Sequence, residues 1–246
     1  MTPFDAEDAA AYIEGQLRAL GSPTRAEEEK RYLKSELHFL GATVWQIRRE
    51  VKAFVERYPS LSHEELVQLV EALWSQPVFE RRLAAAMLLE RYPSLIGPAD
   101  LVLLERLVRE SRTWALVDAL AGDVIGQLLV RHPRAASRLD RWARDRDFWV
   151  RRAALLAMLE PLKQGASFRR FAGYADAMLD EKEFFIRKAI GWVLRDTGKR
   201  RPQEVFDWVA PRTARVSGVT IREAVKYLDP RQREELMSAY RQKPSR

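Results

Sequence analysis

Five stretches of this chain open a helix in the same way, at nearly constant intervals. From Phe79, Trp114, Phe148, Phe184 and Val219 the steps are 35, 34, 36 and 35 residues. Five residues after each start stands an alanine: Ala84, Ala119, Ala153, Ala189 and Ala224. The position just before that alanine is Leu83, Asp118, Arg152, Lys188 and Glu223 in turn. The motif YPSL also occurs twice, at Tyr58 and Tyr92, 34 residues apart. Repeats of this length are helix pairs that cannot bury their apolar face alone. They stack side by side into a curved solenoid with a concave groove, and equivalent positions of neighbouring repeats fall into a column. The column sets an acid, Asp118, beside two bases, Arg152 and Lys188.

The rest of the chain fits an all-α reading. Breaks fall at Gly21-Ser22-Pro23, Gly41, Tyr58-Pro59, Pro77, Tyr92-Pro93, Gly97-Pro98, His132-Pro133, Pro161, Arg201-Pro202, Pro211 and Pro230, and period-2 alternation is absent. Thr24 with Glu27 and Ser62 with Glu65 have capping-box spacing, which predicts helix starts there. From about residue 4 to 57 the repeat register is lost, while helical periodicity continues through Tyr12, Leu17, Tyr32, Leu33, Leu37, Phe39 and Leu40. The expected organisation is one α-solenoid domain over 1–246. Within it, 1–57 form atypical capping helices, 58–240 the helical repeats and 241–246 a frayed tail.

Composition narrows the partner class. The 42 Lys and Arg against 35 Asp and Glu give a formal charge of +7, which favours a polyanion, with nucleic acid foremost. The plainer reading, that high arginine content reflects a GC-rich genome, predicts no partner. Without cysteine there are no disulfides or thiolate metal sites, which fits a reducing cytoplasm. No basic-then-apolar leader and no run of about 18 apolar residues is present, so export or membrane insertion is not expected. His38, His63 and His132 are scattered, and no P-loop, GxGxxG, HExxH or nucleophile elbow occurs, so neither a metal nor a cofactor is expected.

What remains is the column. Positions one, five and nine of a repeated helix are four apart and share a stripe. That stripe holds Trp114, Asp118 and Gly122 in one repeat, Arg152 in the next, and Lys188 with Trp192 in the one after. Two readings stand. Either the tryptophans fill the core while Asp118 pairs with Arg152 between repeats, or two aromatics, a carboxylate and two cations line a groove, with Gly122 leaving space beside them.

The segments SRTWALVD, DFWVRRAALLAML and KEFFIRKAIGWVLRD, with the earlier KRYLKSELHFLG, closely resemble the DNA alkylation repair glycosylases of the AlkD type. The similarity extends from about Phe4 to Tyr240. The resemblance implies a right-handed superhelix of HEAT-like repeats that wraps alkylated double-stranded DNA and excises positively charged alkylpurines such as 3-methyladenine and 7-methylguanine. It implies that Asp118 is catalytic, that Trp114 and Trp192 hold the lesion's deoxyribose and phosphate, and that Arg152 contacts DNA. Lys188 joins Arg152 as a phosphate contact, and Tyr32 and Lys34 fall in the N-terminal segment that approaches DNA. In the implied arrangement the base stays largely stacked while sugar and phosphate are gripped. One departure is visible: many members place a proline four residues beyond the glycine matching Gly41, where this chain has Trp45.

The resulting expectation is a monomeric, monofunctional cytoplasmic hydrolase of base excision repair. Two alternatives are a catalytically silent DNA-binding repeat protein and a protein-interaction scaffold. Strand cleavage, which needs an amine nucleophile of lowered pKa, is not expected; Lys188 is the only lysine that falls on the strip, with Arg187 beside it in sequence.

Overall fold

The computed structural model describes residues 4–242. It separates into two compact units, divided between Val124 and Ile125. Among the described residues the regular structure is helical, and the one β-like pairing is an isolated parallel bridge between His38 and Val78.

Unit 1 contains α1 (Ala6–Leu20), α2 (Pro23–Leu33), α3 (Val44–Arg57), α4 (His63–Trp74), α5 (Phe79–Arg91), α6 (Leu101–Ser111) and α7 (Trp114–Asp118). Helix α5 is buried on nearly every side, from Phe79 through Leu89, because α1, α3, α4 and α7 all pack on it. Unit 2 contains α8 (Gly126–Arg131), α9 (Ser137–Trp142), α10 (Phe148–Leu156), α11 (Leu159–Lys163), α12 (Phe168–Met178), α13 (Phe184–Gly198), α14 (Pro202–Val209), α15 (Gly218–Ala224) and α16 (Pro230–Arg241). Here α13 is central, packed on α10, α11, α14 and α15. A seven-residue π-helix, Ala119–Ile125, links α7 to α8.

Helices begin at Phe79, Trp114, Phe148 and Phe184, and the fifth repeated start, Val219, is the second residue of its helix. The repeat is also written in polar contacts. In unit 1 the Tyr92 hydroxyl donates to the Tyr58 carbonyl at 2.5 Å, and Arg106 pairs with Glu71. In unit 2 Tyr174 donates to Asp140 at 2.6 Å, Arg201 to the Ala166 carbonyl at 2.9 Å, and Arg215 Nη2 to Asp180 at 2.6 Å. Each of these links joins residues 34 or 35 apart. Residues one repeat apart are therefore spatial neighbours within each unit.

Several local expectations are corrected. Helix α2 is capped by Ser22, not Thr24, since Pro23 fixes φ at the first helical position and sets the start two residues earlier. The Ser62–Glu65 capping box is present, and a further one joins Thr43 and Gln46. Helical structure does not reach Leu37, Phe39 and Leu40. Helix α2 stops at Leu33, Lys34 turns left-handed at φ 49°, and 35–43 form a loop. Buried Glu80 explains this loop, because its carboxylate takes the amide hydrogens of Leu40, at 2.9 Å, and Gly41, at 2.6 Å. Gly41 adopts φ 84°, and a Cβ there would lie 2.1 Å from the Ser22 carbonyl oxygen, so glycine is required. Pro161 is not a break: it sits in the first turn of α11, and the chain turns at Ala157-Met158 instead. In the expected tail, Arg241 is helical and pairs with Glu234 at 2.6 Å, while 243–246 lie outside the described residues.

Candidate functional site

In unit 1 the short helix α7 presents Trp114 and Asp118 one turn apart, both half-buried. Beyond Asp118 the stripe does not continue as ordinary α-helix. The chain widens at once into the π segment, whose bonding pattern is i→i+5, so Gly122 is set by a broader turn than the sequence spacing assumed. Small residues at Ala119, Ala121 and Gly122 make that widening sterically easy. A Cβ built on Gly122 would meet nothing within 4 Å, so there is open space at that position.

Tyr32, at the end of α2, lies edge-on to Trp114, with ring centroids 5.9 Å apart and planes at 82°. Tyr32 is itself 73% exposed, an unusual state for an aromatic residue. Lys34 is exposed two residues further on. The structure thus brings Tyr32 to Trp114 although 82 residues separate them, a contact that no sequence spacing could reveal. Trp45 is 67% exposed on the first turn of α3, with the Arg49 guanidinium 5.2 Å from its ring centre. The turn before it closes normally through the Thr43–Gln46 box.

In unit 2 Arg152 lies on α10 and is buried. Its guanidinium donates to the Phe185 carbonyl at 2.5 Å and lies 5.7 Å from the Phe185 ring centre. Adjacent Arg151 donates to the Asp145 carbonyl and both oxygens of Glu181, so the two arginines together fix the loops that lead into α10 and α13. Lys188 and the half-buried Trp192 are one turn apart on α13. The Lys188 ammonium donates to Glu223 at 2.7 Å, so the acid of the last repeat meets the base of the one before. Glu223 is also paired with Arg195 and with Lys226, and its pKa is held at about 2: burial pushes it up, but the surrounding cations and their hydrogen bonds prevail. Helices α13 and α15 approach closely through Gly191, where a Cβ would lie 2.9 Å from the Cβ of Glu223.

Neither indole is fully buried, which departs from the core-filling reading of Trp114 and Trp192. Among the described residues no three His, Asp or Glu side chains are grouped to hold a metal ion. His63 is instead hydrogen-bonded to Asp100 at 2.8 Å.

The fold and these residues define an all-α helical-repeat protein with a half-buried aspartate beside tryptophan. Residues 13–228 match the family model described as DNA alkylation repair enzyme, and the chain belongs to that family. Solved structures agree. A predicted DNA alkylation repair enzyme from Enterococcus faecalis superposes with a TM-score of 0.78 at 25% identity, over 85% of this chain and 97% of that one. AlkD2 from Streptococcus mutans gives 0.64 at 16% identity, over 92% and 100%. The smu.31 protein from Streptococcus mutans UA159 gives 0.55 at 15%, over 97% and 98%. The comparison with curated proteins gives no match.

Proposed function

We propose that this chain is a DNA glycosylase that hydrolyses the N-glycosidic bond of positively charged alkylpurines, 3-methyladenine and 7-methylguanine among them, in duplex DNA. The observation that carries the reading is Asp118: half-buried, at the junction of an α-turn and a π-turn, one turn after Trp114 and with open space at Gly122. A purine already alkylated to a cation is a good leaving group, so its departure needs no strong general acid. What needs help is the oxocarbenium-like sugar left behind. A carboxylate at Asp118 stabilises that charge and orients the water that completes hydrolysis. The indoles of Trp114 and Trp192 attract the cationic sugar through their quadrupoles, at about 0.5–2 kcal/mol each.

Arg152 and Lys188 are the proposed phosphate contacts, which hold register without reading sequence. Both are already engaged, with the Phe185 carbonyl and with Glu223, so phosphate shares or exchanges these partners. Tyr32 and Lys34 extend the DNA contact at α2. Selectivity then comes from the lability of the charged lesion rather than from a tight base pocket. The products are the free alkylpurine and an abasic site, with the strand left uncut.

The test is release of 7-methylguanine from alkylated duplex DNA by the wild-type chain and by Asp118→Asn. The expected loss is at least about a hundredfold, the scale of removing one group that stabilises transition-state charge, with duplex binding retained. Equal release by both proteins removes Asp118 from the mechanism. Binding without release by the wild type identifies a silent DNA-binding relative instead.

A further inference from the structure

Helix α12 begins against the rules of helix electrostatics. Its first turn carries Arg169 and Arg170 and no acid, although the partial positive charge of a helix N-terminus disfavours cations there. The two arginines open onto a cleft of about 700 Å³ between α12 and the end of α9, lined also by Arg144, Ser167, Gly173 and Tyr174.

The geometry of the cleft suits an anion. Arg169, Gly173 and Ala177 are four apart on α12, so one arginine stands at the head of a smooth floor, and a Cβ on Gly173 would meet nothing within 4 Å. The single acid of the lining, Asp140, is engaged: it accepts from the Tyr174 hydroxyl at 2.6 Å and lies 3.7 Å from Arg170. Arg144 and Arg169 are exposed, and among the described residues neither makes a side-chain ion pair. The cleft therefore keeps two uncommitted guanidinium groups, beside helix N–H groups that also favour negative charge. It lies on α9 and α12, whereas the catalytic and DNA-contacting assignments made above for unit 2 lie on α10 and α13.

We propose that this cleft is a phosphate-binding site in which Arg144 and Arg169 grip the phosphoryl oxygens at the α12 N-terminus, with Ser167 and Arg170 beside them. The phosphate belongs either to a nucleic-acid backbone or to a free phosphorylated compound. The backbone case rests on the DNA-binding reading above.

The test uses the full chain and the double variant Arg144→Ala/Arg169→Ala, both exposed positions whose truncation leaves the core untouched. Duplex affinity is measured by anisotropy across a salt series, and inorganic phosphate is titrated calorimetrically. If the source is the backbone, the slope of log K against log salt becomes shallower in the variant by roughly 0.9 to 1.8, for one or two lost phosphate contacts. If the source is a free compound, the wild type gives a phosphate-binding heat that the variant lacks.

Arg231→Ala/Arg233→Ala removes the same charge from α16 and serves as the control. An equal flattening by this control, or no effect of the cleft variant in either measurement, overturns the proposal. Base release separates the two readings: the cleft variant keeps it at saturating protein, and Asp118→Asn loses it while keeping the wild-type salt slope. A chain that binds no duplex at all sinks the glycosylase reading and leaves the phosphate titration to decide the cleft.

Discussion

Replacing Glu223 by glutamine removes the one negative charge that Lys188, Arg195 and Lys226 share. Glu223 is 7% exposed, and its pKa of about 2 stands well below the ordinary 4.5. At about 1.4 kcal/mol for each pH unit between 4.5 and 2, the ceiling on the stabilisation is about 3.5 kcal/mol. Lys188 and Lys226 are 39% and 50% exposed, so water screens part of this attraction and the expected cost at pH 7 is about 1–2 kcal/mol.

The sign follows from the depressed pKa. The contribution is fully present above pH 4.5 and is lost as pH falls from there towards 2. Urea unfolding of wild type and Glu223→Gln, followed by circular dichroism between pH 7 and pH 3, reads it directly. The gap between the two proteins should shrink by about half at pH 3, because protonated glutamate and glutamine then become alike. Other carboxylates titrate equally in both proteins and cancel. A gap that is absent at pH 7, or that stays constant on acidification, refutes the reasoning.

Two further substitutions probe how the loops and helices are fixed. Glu80→Ala leaves the amides of Leu40 and Gly41 without their carboxylate, at an expected cost of about 2–4 kcal/mol. Hydrogen exchange at those two amides should accelerate, with partial recovery in Glu80→Gln, whose side-chain oxygen can still accept. Gly191→Ala forces a methyl group against Glu223 and the Thr220 backbone, at an expected cost of about 1–3 kcal/mol. Alanine's better helix propensity offsets about 1 kcal/mol of this. A denaturation midpoint at or above that of the wild type would contradict the close approach of α13 and α15.

The repeat was legible because its signal is local and redundant: an aromatic after a polar turn, then alanine, at Phe79, Trp114, Phe148 and Phe184. The Ser62–Glu65 box was legible for the same reason. What escaped was decided at a distance. No property of Leu37, Phe39 or Leu40 announces that Glu80, 40 or more residues away in sequence, will hold them in a loop. The spacing of Asp118 and Gly122 is the same in an α-turn and a π-turn, so the widening left no mark beyond a run of small residues. The column of charges was visible, but not its pairing. That Lys188 meets Glu223, and that Arg152 also donates to the Phe185 carbonyl, depends on side-chain geometry that periodicity does not encode.

The polar links between residues a repeat apart carry a consequence for how such a chain can change length. Tyr92 needs Tyr58, Tyr174 needs Asp140, and Arg215 needs Asp180. A deletion shorter than one step strands one member of such a couple, so these couples penalise any change of length that breaks the 34- or 35-residue spacing.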